Sequence, residues 1–111
     1  MTFEEYQFEA AKTMGVHWNN FDIGVSYGAL GLAGEAGEVA EHVKKYLNKS
    51  KELRPDDLKK ELGDVLWYIA AICEKLGFSI HDVAELNIAK LRKRHGEKFS
   101  GYGNLDQDES T

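Results

Sequence analysis

Apolar residues recur at helical spacing in four segments, and no stretch alternates as a half-buried strand would. The first segment spans about residues 3 to 14, with Phe3, Tyr6, Ala10 and Met14 on one side; Thr2 and Glu5 have capping-box spacing before it. GVHWNNFDIGVSYG gathers Gly, Asn and Asp and reads as a loop. A second helix is predicted over about 28 to 48, with Leu32, Ala36, Val39, Val43, Tyr46 and Leu47 as its stripe. Gly28, Gly31, Gly34 and Gly37 recur along it, a spacing that suits close helix approach. Pro55 suits a first turn, and a third helix follows over about 56 to 76. Its stripe is the best defined: Leu58, Leu62, Val65, Leu66, Ile69, Ile72, Cys73 and Leu76. Gly77 is its expected stop, and Ser79 with Asp82 opens a fourth helix to about residue 95.

The fold class expected is therefore all-α, a four-helix bundle. The chain has 111 residues, enough for one domain that buries roughly 65% of its unfolded surface without disulfides. Residues 1–99 are assigned to it, and the polar tail 100–111 is expected to be mobile. Trp67 lies opposite the third stripe, near Gly63, Ala70 and Ala71. A helix apolar on two faces is buried on two sides, and a second subunit is the expected cover.

Two acid pairs stand out against this pattern. Glu35 and Glu38 lie in GEAGEVAE, Glu61 and Asp64 in KKELGDVLWY, each pair at i, i+3 on one side of its helix. With the first acid of each pair at zero, the second falls near about 300° and the apolar stripe near about 70–80° on both helices. Both pairs thus flank the core. Two unit charges about 5 Å apart repel by roughly 3 kcal/mol at an effective dielectric of about 20. A divalent cation reverses that sign, and oxygen-only ligands suit Mg²⁺, Mn²⁺ or Ca²⁺. A di-iron bundle would add Glu-x-x-His motifs, and neither pair has His at that spacing. His42 lies near the acid side; Glu41 faces solvent.

Charge and composition narrow the partners. The net charge of −5 argues against a nucleic-acid polymer. No apolar run is long enough for a bilayer, and MTFEEYQFEA lacks the basic start and apolar stretch of a secretory leader. With Cys73 as the single cysteine, a reduced, cytoplasmic setting is expected. On the fourth helix, Asn87, Lys90 and Arg94 fall among Ile80, Val83 and Leu91 rather than opposite them. Cations on such a face need partners, which phosphate oxygens or the acids would supply.

GEAGEVAE and ELGDVLWYIAAICEKLG, with 22 residues between Glu38 and Glu61, together resemble the MazG-like nucleotide pyrophosphohydrolases, an all-α family marked by E-x-x-E on one helix and E-x-x-D on the next. The resemblance covers residues 28 to 95. Many members carry two consecutive acids where this chain has Gly34-Glu35, which leaves the number of ions open. The resemblance implies Mg²⁺-dependent cleavage of a nucleoside triphosphate between the α- and β-phosphates, with Mn²⁺ as a substitute. It implies Glu35, Glu38, Glu61 and Asp64 as metal ligands and a homodimer or homotetramer. Glu38 is the choice for the proton acceptor. Lys45, Lys90 and Arg94 would face phosphate, Asn87 an oxygen or the sugar, and Tyr68 the sugar or phosphate. Trp18, with His17 beside it, is the candidate for base stacking. The competing readings are a non-catalytic helical interaction module and a di-iron protein.

Overall fold

The structure is a computed structural model that describes residues 1–96. The tail 100–111 lies outside the described residues. Among those described there are four α-helices and no strand: α1 (Phe3–Ala11), α2 (Phe21–Leu47), α3 (Pro55–Leu76) and α4 (Ile80–His95), with a short 3₁₀ turn at Val16–Asn19. Met1–Ile80 form one compact unit, in which α3 packs against α2 and α1, and the 3₁₀ turn packs against α2. From His81 onward α4 belongs to a second unit. No helix among the described residues is long and apolar enough to cross a membrane.

The helix ends follow local chemistry. Glu5 N–H donates to Thr2 Oγ1 at 3.0 Å and Thr2 N–H donates to Glu5 Oε1 at 2.6 Å, completing the expected capping box. Pro55 occupies the first turn of α3, where its missing donor costs nothing. Gly77, at φ 85°, ends α3 in the left-handed region, and its N–H returns to Cys73 O at 2.9 Å. Buried Gln7 of α1 then holds the chain beyond α3: its Oε1 accepts from Ile80 N–H at 2.7 Å, and its Nε2 donates to Phe78 O and Glu74 Oε1, both at 3.1 Å.

The start of α2 departs from the expected one. The helix begins at Phe21, not near residue 28, because Asn20 caps it: its Oδ1 accepts from Ile23 N–H at 3.0 Å. Residues 21–28, the second part of the stretch that read as a loop, are its first turns, and packing accounts for Gly24 and Gly28. A Cβ at Gly28 would lie 2.7 Å from the Trp18 ring and 2.8 Å from Ile72 Cγ1, and one at Gly31 would overlap the Tyr68 ring. Gly34 and Gly37 face open space. The close-approach reading therefore holds for the first two of the four glycines only. Gly31→Ala is expected to destabilise the fold, since overpacking costs about 1–3 kcal/mol against about 1 kcal/mol of regained helix propensity. Gly37→Ala, with no clash, keeps the propensity gain. Urea unfolding of both variants checks this; equal stability would contradict the packing.

Trp18, Ala70, Ala71, Cys73 and Ile80 are the most buried apolar residues, and Cys73 is a free thiol whose pKa burial pushes up. The second apolar face of α3 is covered in part inside the chain: Ala70 and Ala71 are buried, Trp67 is half-buried and Gly63 is exposed. Trp67 meets Trp18 edge-on at 6.0 Å and donates from Nε1 to Thr13 Oγ1 at 2.7 Å, contacts within the chain that cover part of its ring. Conversely, Leu62, expected in the stripe, is 54% exposed.

Candidate active site

The four acids sit on the paired helices α2 and α3. Glu35 and Glu61 are half-buried, whereas Glu38 and Asp64 are exposed. The Glu35 carboxyl is held above its ordinary range, first by burial and then by repulsion from Asp64, Glu38 and Glu61. Glu35 therefore feels the other three acids, two of them from the opposite helix. Among the described residues no three carboxylate, imidazole or thiol groups are gathered tightly enough to enclose an ion as they stand. Uncompensated like charges favour splayed side chains, so the acids form a shared negative field rather than a closed cage.

Their chemistry still fits a hard cation. Oxygen donors alone are what Mg²⁺ and Mn²⁺ take, and Glu61 Oε1 is buried without a hydrogen-bond partner. An orphaned buried carboxylate oxygen is costly and calls for a positive neighbour. His42 Nδ1 approaches it to 3.3 Å, without hydrogen-bond alignment. His42 Nε2 accepts from Arg54 N–H at 3.2 Å.

An aromatic layer borders the acids. The Tyr68 hydroxyl has its pKa raised by a hydrogen bond with Tyr27, then by burial and by Tyr27, Glu35 and Asp64. Burial and Asp64 likewise raise Tyr6. Tyr68 thus lies beside two of the acids, as its place one turn after Asp64 suggested. Trp18 requires a correction. It is only 4% exposed, edge-on to Tyr27 at 5.7 Å and to Trp67, so no open face is left for a base. The exposed pair is instead His17 over Tyr27, with ring centroids 4.4 Å apart.

Cations enter from the α2–α3 connection. A cavity of about 120 Å³ is lined by Glu38, Glu61, His42, Lys45, Lys51 and Arg54, among others. Lys45 lines this cavity, with its Nζ 3.8 Å from Glu41 Oε1. Lys51 and Arg54 were missed as site residues. The excess of lysine over residues 44 to 51 was a weak signal for the first, but only the return of the chain into α3 brings Arg54 back to the acids. Arg54 is also anchored locally, its Nε donating to Asp57 Oδ2 at 2.8 Å. Asn87, Lys90 and Arg94 occupy exposed positions on α4, in the second unit.

"Gene 37 protein" of Mycobacterium phage L5 is 45% identical over 76 aligned residues, covering 64% of this chain. The chain spans 66% of that relative's length. No solved structure matches the chain. The model of the MazG nucleotide pyrophosphohydrolase domain matches residues 27–99, a range that contains both acid pairs and the connection between them. With E-x-x-E on α2 and E-x-x-D on α3 inside that match, the chain belongs to the MazG nucleotide pyrophosphohydrolase family.

Proposed function

We propose that the protein is a Mg²⁺-dependent nucleoside triphosphate pyrophosphohydrolase. It takes a ribo- or deoxyribonucleoside triphosphate and water, cleaves between the α- and β-phosphates, and yields the monophosphate and pyrophosphate. The observation that carries this reading is the buried, unpartnered Glu61 oxygen, near Glu35, whose carboxyl is raised first by burial and then by acids from both helices. Family membership supplies the reaction class.

Glu35, Glu38, Glu61 and Asp64 would hold the cation. When bound, Mg²⁺ supplies neutralisation of the polyphosphate and Lewis acidity at phosphorus. Glu38, exposed and without a neutralising partner in its own helix turn, accepts the proton of the attacking water. Lys45, Lys51 and Arg54 offset phosphate charge from the adjoining cavity. Tyr68 would contact sugar or phosphate, and His17 with Tyr27 offers the exposed aromatic surface for a base.

A homodimer or homotetramer belongs to the same reading. Leu30 and Leu47 of α2 are 74% and 69% exposed, apolar surface that a second copy would cover. The buried free thiol of Cys73 suits a reducing, cytoplasmic compartment. The experiment is a panel of NTPs and dNTPs with Mg²⁺, in which pyrophosphate and orthophosphate are detected separately. Pyrophosphate and the monophosphate are the expected products. Orthophosphate released directly, or no release from any member of the panel, would overturn the assignment.

A further inference from the structure

His42 stands outside the four-acid motif, and its surroundings give it a defined task. Its side chain is 10% exposed, against 27% for Glu61. The backbone N–H of Arg54 can only donate, so the Nε2 that accepts it at 3.2 Å carries no proton. In the neutral ring the proton then sits on Nδ1, the nitrogen that faces Glu61 Oε1 at 3.3 Å. Arg54 is the N-cap residue of α3 and Glu61 lies in its second turn, seven residues on. One imidazole from α2 spans both.

We propose that His42 is a positioning residue for Glu61: fixed by Arg54 N–H at one nitrogen, it presents Nδ1–H to the buried carboxylate oxygen and aims the carboxylate at the cation. The inference rests on the metal reading above and adds to it the residue that orients one ligand. A partner that donates to a ligating carboxylate restricts its rotamers and lowers the cost of holding it ready. Glu61 Oε1 has no aligned hydrogen-bond partner as it stands, and a small turn of either side chain completes the contact with Nδ1, 3.3 Å away.

The test is Mn²⁺ binding to the full chain, followed by calorimetry and by electron paramagnetic resonance. His42→Ala is expected to weaken binding about 10–100-fold, the usual effect of losing such a partner. His42→Asn, whose amide N–H takes the place of Nδ1–H, is expected to recover most of the loss. Long-range ¹H–¹⁵N correlation of the parent's imidazole reads the geometry without any metal, and a proton on Nδ1 with a bare Nε2 is the expected pattern. Parental affinity in His42→Ala, no recovery in His42→Asn, or a proton on Nε2 would each overturn the proposal. Should His42→Ala fail to fold, the asparagine variant and the tautomer still decide. If the parent itself binds no Mn²⁺, or Glu61→Gln binds as tightly as the parent, the metal reading falls and takes this inference with it. Loss in Glu61→Gln but not in His42→Ala removes the inference alone.

Discussion

Glu38→Gln is expected to lower pyrophosphate release by about 100- to 10,000-fold, the range that a positioned proton acceptor contributes. Asp64→Asn and Glu61→Gln are expected to lose at least about 100-fold, equivalent to about 2.7 kcal/mol of transition-state stabilisation. The informative contrast is with stability. In Mg²⁺-free buffer Glu35→Gln should raise the melting temperature, because Glu35 is the group on which burial and the other three acids act together. The sign follows from linkage. A carboxyl whose folded pKa lies above its unfolded value binds its proton more tightly in the native state, so stability falls as pH rises. The penalty is absent below the ordinary carboxylate value of 4.5 and complete above the raised folded value. Glu35→Gln should flatten that slope. Added Mg²⁺ should raise the parent's melting temperature and that of the variant by less, since a ligand stabilises in proportion to its affinity for the folded state. Thermal scans over pH and Mg²⁺, beside rates with one preferred substrate, check both halves. Acid variants that keep parental rates would leave the four carboxylates as a solvated face.

How much of this was readable beforehand depends on the range of the interaction. The Thr2 cap, the Pro55 start and the Gly77 stop are local, and each appeared where its residue type required. The matched phase of the two acid pairs was also local geometry, and the field at Glu35 is its consequence. The first turns of α2 were not readable. Glycine and asparagine favour loops by propensity, but here Gly24 and Gly28 lie against Trp18, so tertiary packing outweighs the propensity cost. Leu62 shows the converse: a residue in perfect helical register remains exposed, because register says which side it occupies and not how far the neighbouring helix extends.

The site divides in the same way. Acids four residues or fewer apart could be placed from periodicity. His42 and Arg54 could not be joined, because they are separated by the α2–α3 connection and meet only after it closes. Had the imidazole been read by phase alone, it would have seemed one more residue near the acid side. Its second nitrogen, tied to the backbone at the start of α3, is what separates it from a partly exposed helix histidine. The Trp67 face carried a related ambiguity. An apolar second face on α3 called for a cover, and the pattern could not distinguish another subunit from α1 and the residues after it, which supply Thr13 and Trp18.

Trp18→Ala is the largest stability change expected, about 3–5 kcal/mol, the usual cost of deleting a buried aromatic side chain. The ring contacts the Gly24 and Gly28 backbone of α2 and meets Tyr27 and Trp67 edge-on. Its removal would open a cavity where the 3₁₀ turn, α2 and α3 join. His17→Ala, one residue away but exposed, should cost less than about 1 kcal/mol. Kinetics should divide the two in the opposite order. If the exposed His17–Tyr27 surface receives the base, His17→Ala raises KM with little change in unfolding free energy. Trp18→Phe, which keeps an aromatic ring in the core, should then retain KM and lose only part of the stability. A Trp18→Phe variant with parental stability and a many-fold higher KM would restore the tryptophan to the nucleotide. It would also mean that the loop before α2 opens in solution to expose a ring now sealed against glycine.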